Sequence, residues 1–167
     1  INIILAVAEK IDFHDFHIIG GDDKDLDYWK SRNKQKNVNF HGYKINSEIS
    51  ELLIQFDILI APYQYKVYIN NGLNTASWMS PLKIFEYMSA GKPIVSSKLN
   101  VLEEVLTHNY NALLVKPDDV EEWIKSIKLL CDDEKLRQKI GNQALTDFNN
   151  KYKWEKRAKN ILESALY

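Results

Sequence analysis

The chain of 167 residues has a single cysteine and no internal repeat or low-complexity segment. One cysteine, Cys131, excludes an internal disulfide framework and is typical of a reducing compartment. No apolar run approaches the ~20 residues that a membrane-spanning helix needs, and no charged-then-apolar signal peptide is recognisable. These absences argue against a secreted disulfide scaffold and a membrane-spanning protein, and they predict a soluble cytoplasmic protein.

The chain also lacks an excess of either charge, because 22 lysines and arginines face 23 aspartates and glutamates. The formal net charge of −1 therefore predicts no general attraction for nucleic acid or for an anionic membrane. The four histidines have no metal-ligand spacing with one another or with Cys131, so no metal is expected. The length corresponds to one ordinary domain, predicted to span residues 1–167.

Short apolar runs alternate with amphipathic segments along the chain. Strands of this kind, apolar on both faces and separated by helices, predict an α/β fold: a three-layer, Rossmann-like domain with a parallel sheet wrapped by helices. Ligands of such sheets bind beyond the carboxyl ends of the strands. Strands are predicted at residues 16–19, 38–40, 57–62, 94–97 and 112–115, and helices at the opening residues, 25–36, 47–56, 80–91, 101–106, 119–131, 133–148 and 154–166.

Two serines are predicted to cap helices, Ser47 for the third helix and Ser80 for the helix of residues 80–91. Pro81 suits the first position of the second of these helices, and Gly91 with the following Lys-Pro pair ends it. The apolar spacing predicts an inner face formed by three side chains, namely Phe85, Met88 and Ser89.

This helix is the strongest candidate for a binding site. A helix N-terminus attracts phosphate, and Lys83 in the first turn opposes the helix dipole, a conflict that a bound phosphate would remove. Glu86 could accept hydrogen bonds from the two hydroxyls of a ribose, and its apolar neighbours predict a partly buried setting. The alternative is that both are ordinary solvent-facing side chains.

Other candidates carry weaker signals. Gly20 and Gly21 form a turn after a strand but lack the three-glycine spacing of a dinucleotide fingerprint. His41 ends a strand and could line a pocket. Ser96 and Ser97 have no glycine elbow, so a hydrolase nucleophile is not expected there.

Residues 80–93 resemble the signature of family-four retaining glycosyltransferases, which have the two-domain GT-B fold. The resemblance implies a C-terminal donor-binding domain, one half of that fold. It implies transfer of a sugar from a nucleoside diphosphate sugar to a glycan, lipid or other acceptor, with retention and without a metal or cofactor. Similar segments follow in the family's order at residues 16–21, 38–43, 57–63, 103–105, 109–115 and 117–119.

The resemblance also implies roles for individual residues. Glu86 corresponds to the second of two family glutamates, and it would bind the donor ribose. The first glutamate would stand at position 78, where this chain has Trp78. The remaining implied contacts are Ser80, Leu82 and Lys83 at the diphosphate, His41, Gly42 and Tyr43 at the base, and Trp78 and Met79 at the sugar.

Two parts of such an enzyme would precede Ile1 according to the resemblance. One is an opening strand with a loop that carries an arginine and a lysine, and the other is the acceptor-binding domain. The last predicted helix resembles one that packs on that domain. The chain by itself is therefore expected to be inactive, and a peripheral association of the intact enzyme with a membrane is left open.

Three other functions remain compatible with the sequence. The first is a non-catalytic nucleotide-binding or interaction domain with the same fold, which Trp78 favours because it replaces the family's glutamate. The second is a sugar-nucleotide epimerase with a similar fold, whose catalytic acids have no identifiable counterpart here. The third is a dinucleotide-dependent oxidoreductase, for which the incomplete glycine turn is poor support.

Overall fold

The structure is a computed structural model that describes residues 1–66, 80–156 and 162. Helices and strands alternate from the first element onward, as the sequence predicts. In chain order they are α1 (Asn2–Lys10), β1 (Phe16–Ile19), α2 (Asp23–Arg32), β2 (Val38–Gly42), α3 (Asn46–Leu53), β3 (Leu59–Ala61), α4 (Leu82–Ser89), β4 (Ile94–Ser97), α5 (Asn100–Glu103), β5 (Leu113–Val115), α6 (Val120–Asp132), α7 (Glu134–Asp147) and a π-helical turn (Phe148–Tyr152).

The described strands form two parallel groups. One is a two-stranded sheet, in which Phe16 of β1 pairs with Val38 of β2. The other is a three-stranded sheet in the order β3–β4–β5, and all four residues of its central strand β4 are buried. Parallel strands joined through helices confirm the predicted α/β fold.

The core lies on both faces of the three-stranded sheet. Val95 of β4 packs with α1 and α6, including Trp123, whereas its neighbour Ile94 packs with Ile84 and Met88 of α4. Successive strand residues point to opposite faces, so the sheet is the middle of three layers. The buried indole N–H of Trp123 donates to the carbonyl of Lys116 at 3.0 Å, which leaves no unpaired polar group there.

Helix α4 is fixed at its C-terminal end by two glycines. Gly91 follows the helix with φ +66°, the left-handed conformation that ends many helices. Gly141 of α7 lies against it so closely that a Cβ there would overlap the Gly91 carbonyl oxygen. The predicted end of α4 is confirmed, and α7 packs directly on that end.

The predicted start and inner face of α4 need correction. The helix begins at Leu82 with Pro81 as N-cap, and no side chain caps it, so Ser80 is not the capping residue. Pro81 is buried and takes that place because its ring packs inward. The inner face consists of Ile84 and Met88 with the partly buried Phe85, so Met88 and Phe85 are confirmed, whereas Ser89 is exposed.

The predicted cap of α3 is also wrong. The N-cap of that helix is Ile45, whose N–H donates to the Glu48 carboxylate at 3.2 Å. Ser47 lies inside the first turn instead. The last predicted helix, at residues 154–166, lies mostly outside the described residues. Within the described ranges, no helix is long and apolar enough to cross a membrane.

Candidate functional site

A cavity of about 400 Å³ opens where β1 and β3 end. Gly20 and Gly21 from the turn after β1 form one side, and Tyr63 from the segment after β3 forms another. Lys83 reaches it from the first turn of α4. The structure therefore brings the glycine turn, the strand ends and the helix start together at the edge where ligands of parallel sheets bind.

Lys83 has hydrogen-bonding groups at this edge that no described residue uses. The N–H groups of Leu82 and Ile84 donate to the carbonyls of Ser80 and Pro81, both at 2.9 Å. The N–H of Lys83 has no such partner among the described residues, and its ammonium forms no ion pair with them. A backbone donor and a cation at a helix N-terminus are suited to an anionic group.

Glu86 lies one turn further along α4 and is exposed, not partly buried as predicted. Its apolar neighbours turn inward beside it, so the carboxylate keeps its hydration and needs no partner to remain charged. Burial and the charge of Glu86 raise the pKa of the Tyr63 phenol, which places the two groups near each other. Glu86 is thus an accessible acceptor within reach of the same edge.

Two tyrosines that sequence reasoning missed shape this edge. Tyr87 is half-buried, and its hydroxyl donates to the carbonyl of Ile60 in β3 at 3.4 Å. Burial, Tyr63 and Glu86 raise the pKa of Tyr87. The carbonyl of Tyr63 accepts from the Ser97 hydroxyl at 2.5 Å. One sequence feature could have identified Tyr63 as a site residue: it immediately follows an apolar strand that ends at a proline.

Ser96 and Ser97 are buried and serve the sheet. Ser96 donates to the Ala61 carbonyl at 3.4 Å, and Ser97 holds the Tyr63 backbone. Both hydroxyls link the end of β4 to the end of β3. These two hydrogen bonds give both serines a structural role in the sheet.

The three residues predicted at the base lie beside the cavity and do not line it. His41 and Tyr43 are exposed, and Gly42, with φ +71°, ends β2. The Gly42 carbonyl accepts from the Gly20 N–H at 2.7 Å, so this loop is tied to the glycine turn of the cavity. The structure places the predicted base loop within one hydrogen bond of the cavity wall.

His41 forms a pair with His17 of β1. Their Nε2 and Nδ1 atoms are 2.8 Å apart and the rings stack with centroids 5.0 Å apart. One ring must donate and the other accept, so at least one of the two is neutral. Burial, followed by the charges of His17 and Lys44, lowers the pKa of His41.

The other predicted site residues are distributed as follows. Ser80 and Leu82 are exposed at the start of α4 and do not line the cavity, which leaves Lys83 as the predicted diphosphate residue that reaches it. Trp78 and Met79 lie outside the described residues. Among the residues that the structure describes, no three histidine, cysteine, aspartate or glutamate side chains are grouped to hold a metal ion.

Together the parallel sheet, the glycine turn and the helix start with its lysine define an α/β domain of the Rossmann type with a ligand site at the carboxyl edge. The sequence profile described as glycosyl transferases group 1 matches residues 2–147. The chain belongs to this family. Its membership confirms the family predicted from the resemblance.

Individual relatives are more distant. An uncharacterized glycosyltransferase of Methanocaldococcus jannaschii is 23% identical over 158 residues, which is 93% of this chain and 41% of the relative. The N,N'-diacetylbacillosaminyl-diphospho-undecaprenol alpha-1,3-N-acetylgalactosaminyltransferase of Campylobacter jejuni is 31% identical over 107 residues, 64% of this chain and 25% of that protein.

A solved structure, Anabaena HepE in complex with UDP, superposes with a TM-score of 0.78 at 21% identity. The match covers 98% of this chain and 44% of HepE. The chain therefore spans less than half the length of each of these relatives. At this identity the superposition establishes the shared fold, which is that of the GT-B glycosyltransferases.

Proposed function

We propose that residues 1–167 form the donor-binding domain of a retaining glycosyltransferase. The intact enzyme would transfer a sugar from a nucleoside diphosphate sugar to a glycan, lipid or other acceptor bound by a second domain, as in cytoplasmic polysaccharide biosynthesis. The observation that carries the proposal is Lys83, which lines the cavity with a backbone N–H and an ammonium that have no partner among the described residues. Family membership and the UDP bound to HepE support the same ligand class.

The donor diphosphate would lie at the start of α4. The helix N-terminus carries about half a positive charge, and Lys83 adds a mobile one. Leaving-group charge develops on the diphosphate as the glycosidic bond breaks, and fixed donors stabilise it without reorganisation. Ser80 and Leu82 would contribute through backbone groups at the same end of the helix.

Glu86 would bind the ribose. An ionised carboxylate is an acceptor only, and its two oxygens match the two donors of vicinal hydroxyls. Because Glu86 is exposed in the structure, ligand binding does not have to break an internal hydrogen bond of its carboxylate. The nearby Tyr63 would face the same nucleoside from the β3 side of the cavity.

The base would meet the loop of His41, Gly42 and Tyr43, which adjoins the cavity through the bond between Gly42 and Gly20. Trp78 and Met79 would contact the donor sugar. Both roles rest on the family resemblance, and the replacement of a family glutamate by Trp78 is where this chain departs from it. No metal or cofactor is part of the proposal.

Replacing Lys83 tests the diphosphate role. We expect Lys83→Ala to weaken binding of UDP about tenfold, since a charge-assisted hydrogen bond is worth about 1.5–3 kcal/mol, and to leave uridine binding unchanged. Titration calorimetry of both ligands measures this, with GDP and ADP tested if UDP does not bind the unmodified protein. Lys125→Ala, on the exposed side of α6, is the matched control. Equal affinity of the Lys83→Ala variant and the unmodified protein for the diphosphate would contradict the role.

Replacing Glu86 tests the ribose role. The unmodified protein should bind the ribonucleotide more tightly than its 2′,3′-dideoxy analogue, and Glu86→Ala should bind both equally weakly. A loss of about 1–3 kcal/mol is expected because a buried hydroxyl pair loses its acceptor. Glu121→Ala on α6 is the control. If the Glu86→Ala variant still discriminates between the two sugars, Glu86 does not bind the ribose.

The second candidate function is a non-catalytic nucleotide-binding domain, which Trp78 favours. The intact protein separates the two, because both functions predict nucleotide binding by this domain but only the enzyme releases nucleoside diphosphate. Steady release of diphosphate with an acceptor extract supports the transferase. Tight donor binding without release would favour the non-catalytic alternative.

A further inference from the structure

Strand β2 contains one residue more than its partner, and that residue is His41. Ile18 of β1 lies opposite Phe40 of β2, but the next residue, Ile19, lies opposite Gly42. His41 therefore has no counterpart in β1 and forms a β-bulge. Bulges redirect a side chain and are frequent next to functional sites.

The proposed base loop begins at this bulge. Gly42 follows it with φ +71°, and the Gly42 carbonyl accepts from the Gly20 N–H at 2.7 Å. Gly20 lines the 400 Å³ cavity, and Tyr43 directly follows the strand. The conformation at His41 therefore determines where Gly42 and Tyr43 lie relative to the cavity.

A side-chain hydrogen bond ties the bulge to β1. His17 Nδ1 and His41 Nε2 are 2.8 Å apart, and the two rings stack with centroids 5.0 Å apart. The ring of His17 also contacts that of Phe56, with centroids 5.1 Å apart. His17 lines the 400 Å³ cavity, whereas His41 does not. The hydrogen bond therefore connects the cavity wall to the bulge.

Packing around the bulge gives it little other support. Helix α2 contacts β2 but buries none of its own residues. His17, His41 and Tyr43 are exposed. A segment with few buried apolar contacts opens easily, so its hydrogen bonds decide which conformation it keeps.

We infer that His17 is a positioning residue for donor recognition, because its hydrogen bond to His41 fixes the bulge from which the base loop starts. The inference rests on the proposed role of His41, Gly42 and Tyr43 at the base. It assigns no contact with the donor to His17 itself. The Gly20 amide, which is bonded to Gly42, reports the position of the loop with or without a ligand.

The hydrogen bond requires at least one neutral imidazole. A neutral ring donates through one nitrogen and accepts through the other, whereas an imidazolium only donates. One proton added to the pair keeps the bond, and a second proton breaks it. Burial, followed by the charges of His17 and Lys44, lowers the pKa of His41, which favours the bonded pair at neutral pH. The loop should therefore be fixed at neutral pH and released in acid.

Among the residues that the structure describes, each imidazole has the other as its polar partner. Lys44, which follows the loop, forms an ion pair with Glu48 at 3.6 Å. Neither imidazole forms an ion pair with a carboxylate in the described ranges. The other charged or titrating side chains around the cavities that His17 borders are His14, Asp15, Asp25, Asp57, Lys83, Glu86 and Arg137. The pH dependence of the bond therefore belongs to the two histidines.

Two substitutions of His17 separate its ring from its hydrogen bond. His17→Asn places an amide near the position of Nδ1, which can bond to His41 and does not titrate. His17→Phe keeps a ring beside Phe56 and His41 but removes the bond. His14→Phe, just before β1 and outside the pair, is the matched control.

The four proteins are titrated with UDP by calorimetry at pH 7.5 and pH 5.0, with GDP and ADP tested if UDP does not bind. At pH 7.5 we expect His17→Phe to bind the diphosphate about fivefold more weakly than the unmodified protein, as for the loss of one hydrogen bond. His17→Asn and His14→Phe should bind like the unmodified protein.

Acid should remove the difference between the unmodified protein and His17→Phe. At pH 5.0 the unmodified protein and His14→Phe should approach the affinity of His17→Phe, whereas His17→Asn should remain the tightest binder. Protonation of the nucleotide affects all four proteins alike, so the comparison is made at each pH. A role in stability alone would not give the amide variant a different pH profile.

Amide hydrogen exchange without ligand tests the bulge directly. The Gly20 amide should exchange about fivefold faster in His17→Phe than in His17→Asn at pH 7.5. The Phe16 amide, which donates to the Asn37 carbonyl at the other end of β1, is the internal reference.

Three results would overturn the inference. They are equal affinity of His17→Phe and His17→Asn at pH 7.5, the same pH profile in His17→Asn and the unmodified protein, and unchanged Gly20 exchange in His17→Phe. If the unmodified protein binds none of the three nucleoside diphosphates at pH 7.5, the proposed function itself is contradicted, and the inference that rests on it fails for that separate reason.

Discussion

The two sheets of this domain are packed very differently. Every residue of β4 and β5 in the three-stranded sheet is buried, and α7, which packs against α4 and α6, buries four of its residues. In the two-stranded sheet, Phe16 is the buried residue of β1, and α2 buries none. The same alternation of strand and helix therefore gives one closely packed half and one loosely covered half, because helices cover both faces of the three-stranded sheet.

This difference separates the proposed functions of the site residues. Lys83 and Glu86 stand on α4, whose inner side belongs to the packed half. His41 lies near the end of β2 and Tyr43 directly follows that strand, in the loosely packed half. Groups held by a packed core keep their geometry, whereas loops at sheet edges adapt more easily to a ligand. Phosphate binding should therefore be the more rigid part of donor recognition and base binding the more adaptable part.

The largest expected effect on stability comes from truncating a buried side chain in the packed half. Met88→Ala should lower the free energy of unfolding by about 2–5 kcal/mol, since Met88 is fully buried and a cavity remains. Ile18→Ala in the other half should cost only about 1 kcal/mol, because Ile18 is already partly exposed. Urea unfolding of the two variants measures the contrast. Equal losses would show that the two halves are equally well packed.

Two glycine substitutions also compare the two halves, and each is expected to lower the free energy of unfolding by less than Met88→Ala. Gly141→Ala should destabilise the domain by about 1–3 kcal/mol, because its Cβ would clash with the Gly91 backbone and force α7 away from α4. Gly20 has open space around it and φ +113°, so Gly20→Ala should cost about 1–2 kcal/mol through backbone strain alone.

Two measurements separate these variants. One is the m-value from urea unfolding, and the other is the affinity for nucleotide. Gly141→Ala acts on the packing at the C-terminal end of α4, and a displaced α4 would also shift Lys83 at its other end, so we expect weaker diphosphate binding in addition to lower stability. Gly20→Ala changes the turn at the cavity without moving α4. Unchanged packing of α4, seen as unchanged exchange at its amides in the Gly141→Ala variant, would contradict the clash.

The elements that could be predicted best from the sequence are those whose buried residues form a clear local pattern. The boundaries of β4 were predicted to the residue because its apolar start, Ile94 and Val95, directly follows the Gly-Lys-Pro signal that ends α4. The helix predicted at residues 119–131 was also confirmed, as α6 (Val120–Asp132), which buries Trp123 and Ile127. These elements have strong local patterns that tertiary contacts reinforce.

Helix starts and single-residue exposure were less predictable. Ser80 and Ser47 are favourable caps by type, yet the N-cap residues are Pro81 and Ile45, because helix boundaries depend on tertiary contacts as well as on residue type. Glu86 has apolar neighbours in sequence, but these turn inward and leave its carboxylate exposed. The His17–His41 pair and the position of Tyr63 arise from strands far apart in sequence, which no local pattern reports.

The smallest expected effect is the pH dependence of the His17–His41 pair in the loosely packed half. The folded state lowers the pKa of His41, so the unfolded chain binds more protons at this group as pH falls. Its contribution to stability is therefore complete above the unfolded value of about 6.5 and decreases as pH falls from there toward the lowered folded pKa.

Urea midpoints between pH 7.5 and pH 5.5 should fall less in His41→Gln than in the unmodified protein, with His14→Gln as control. Because both rings are exposed, the change should be smaller than that of either glycine variant. A His41→Gln variant with the full pH slope of the unmodified protein would place the titrating group elsewhere and leave β1 and β2 joined by their backbone alone.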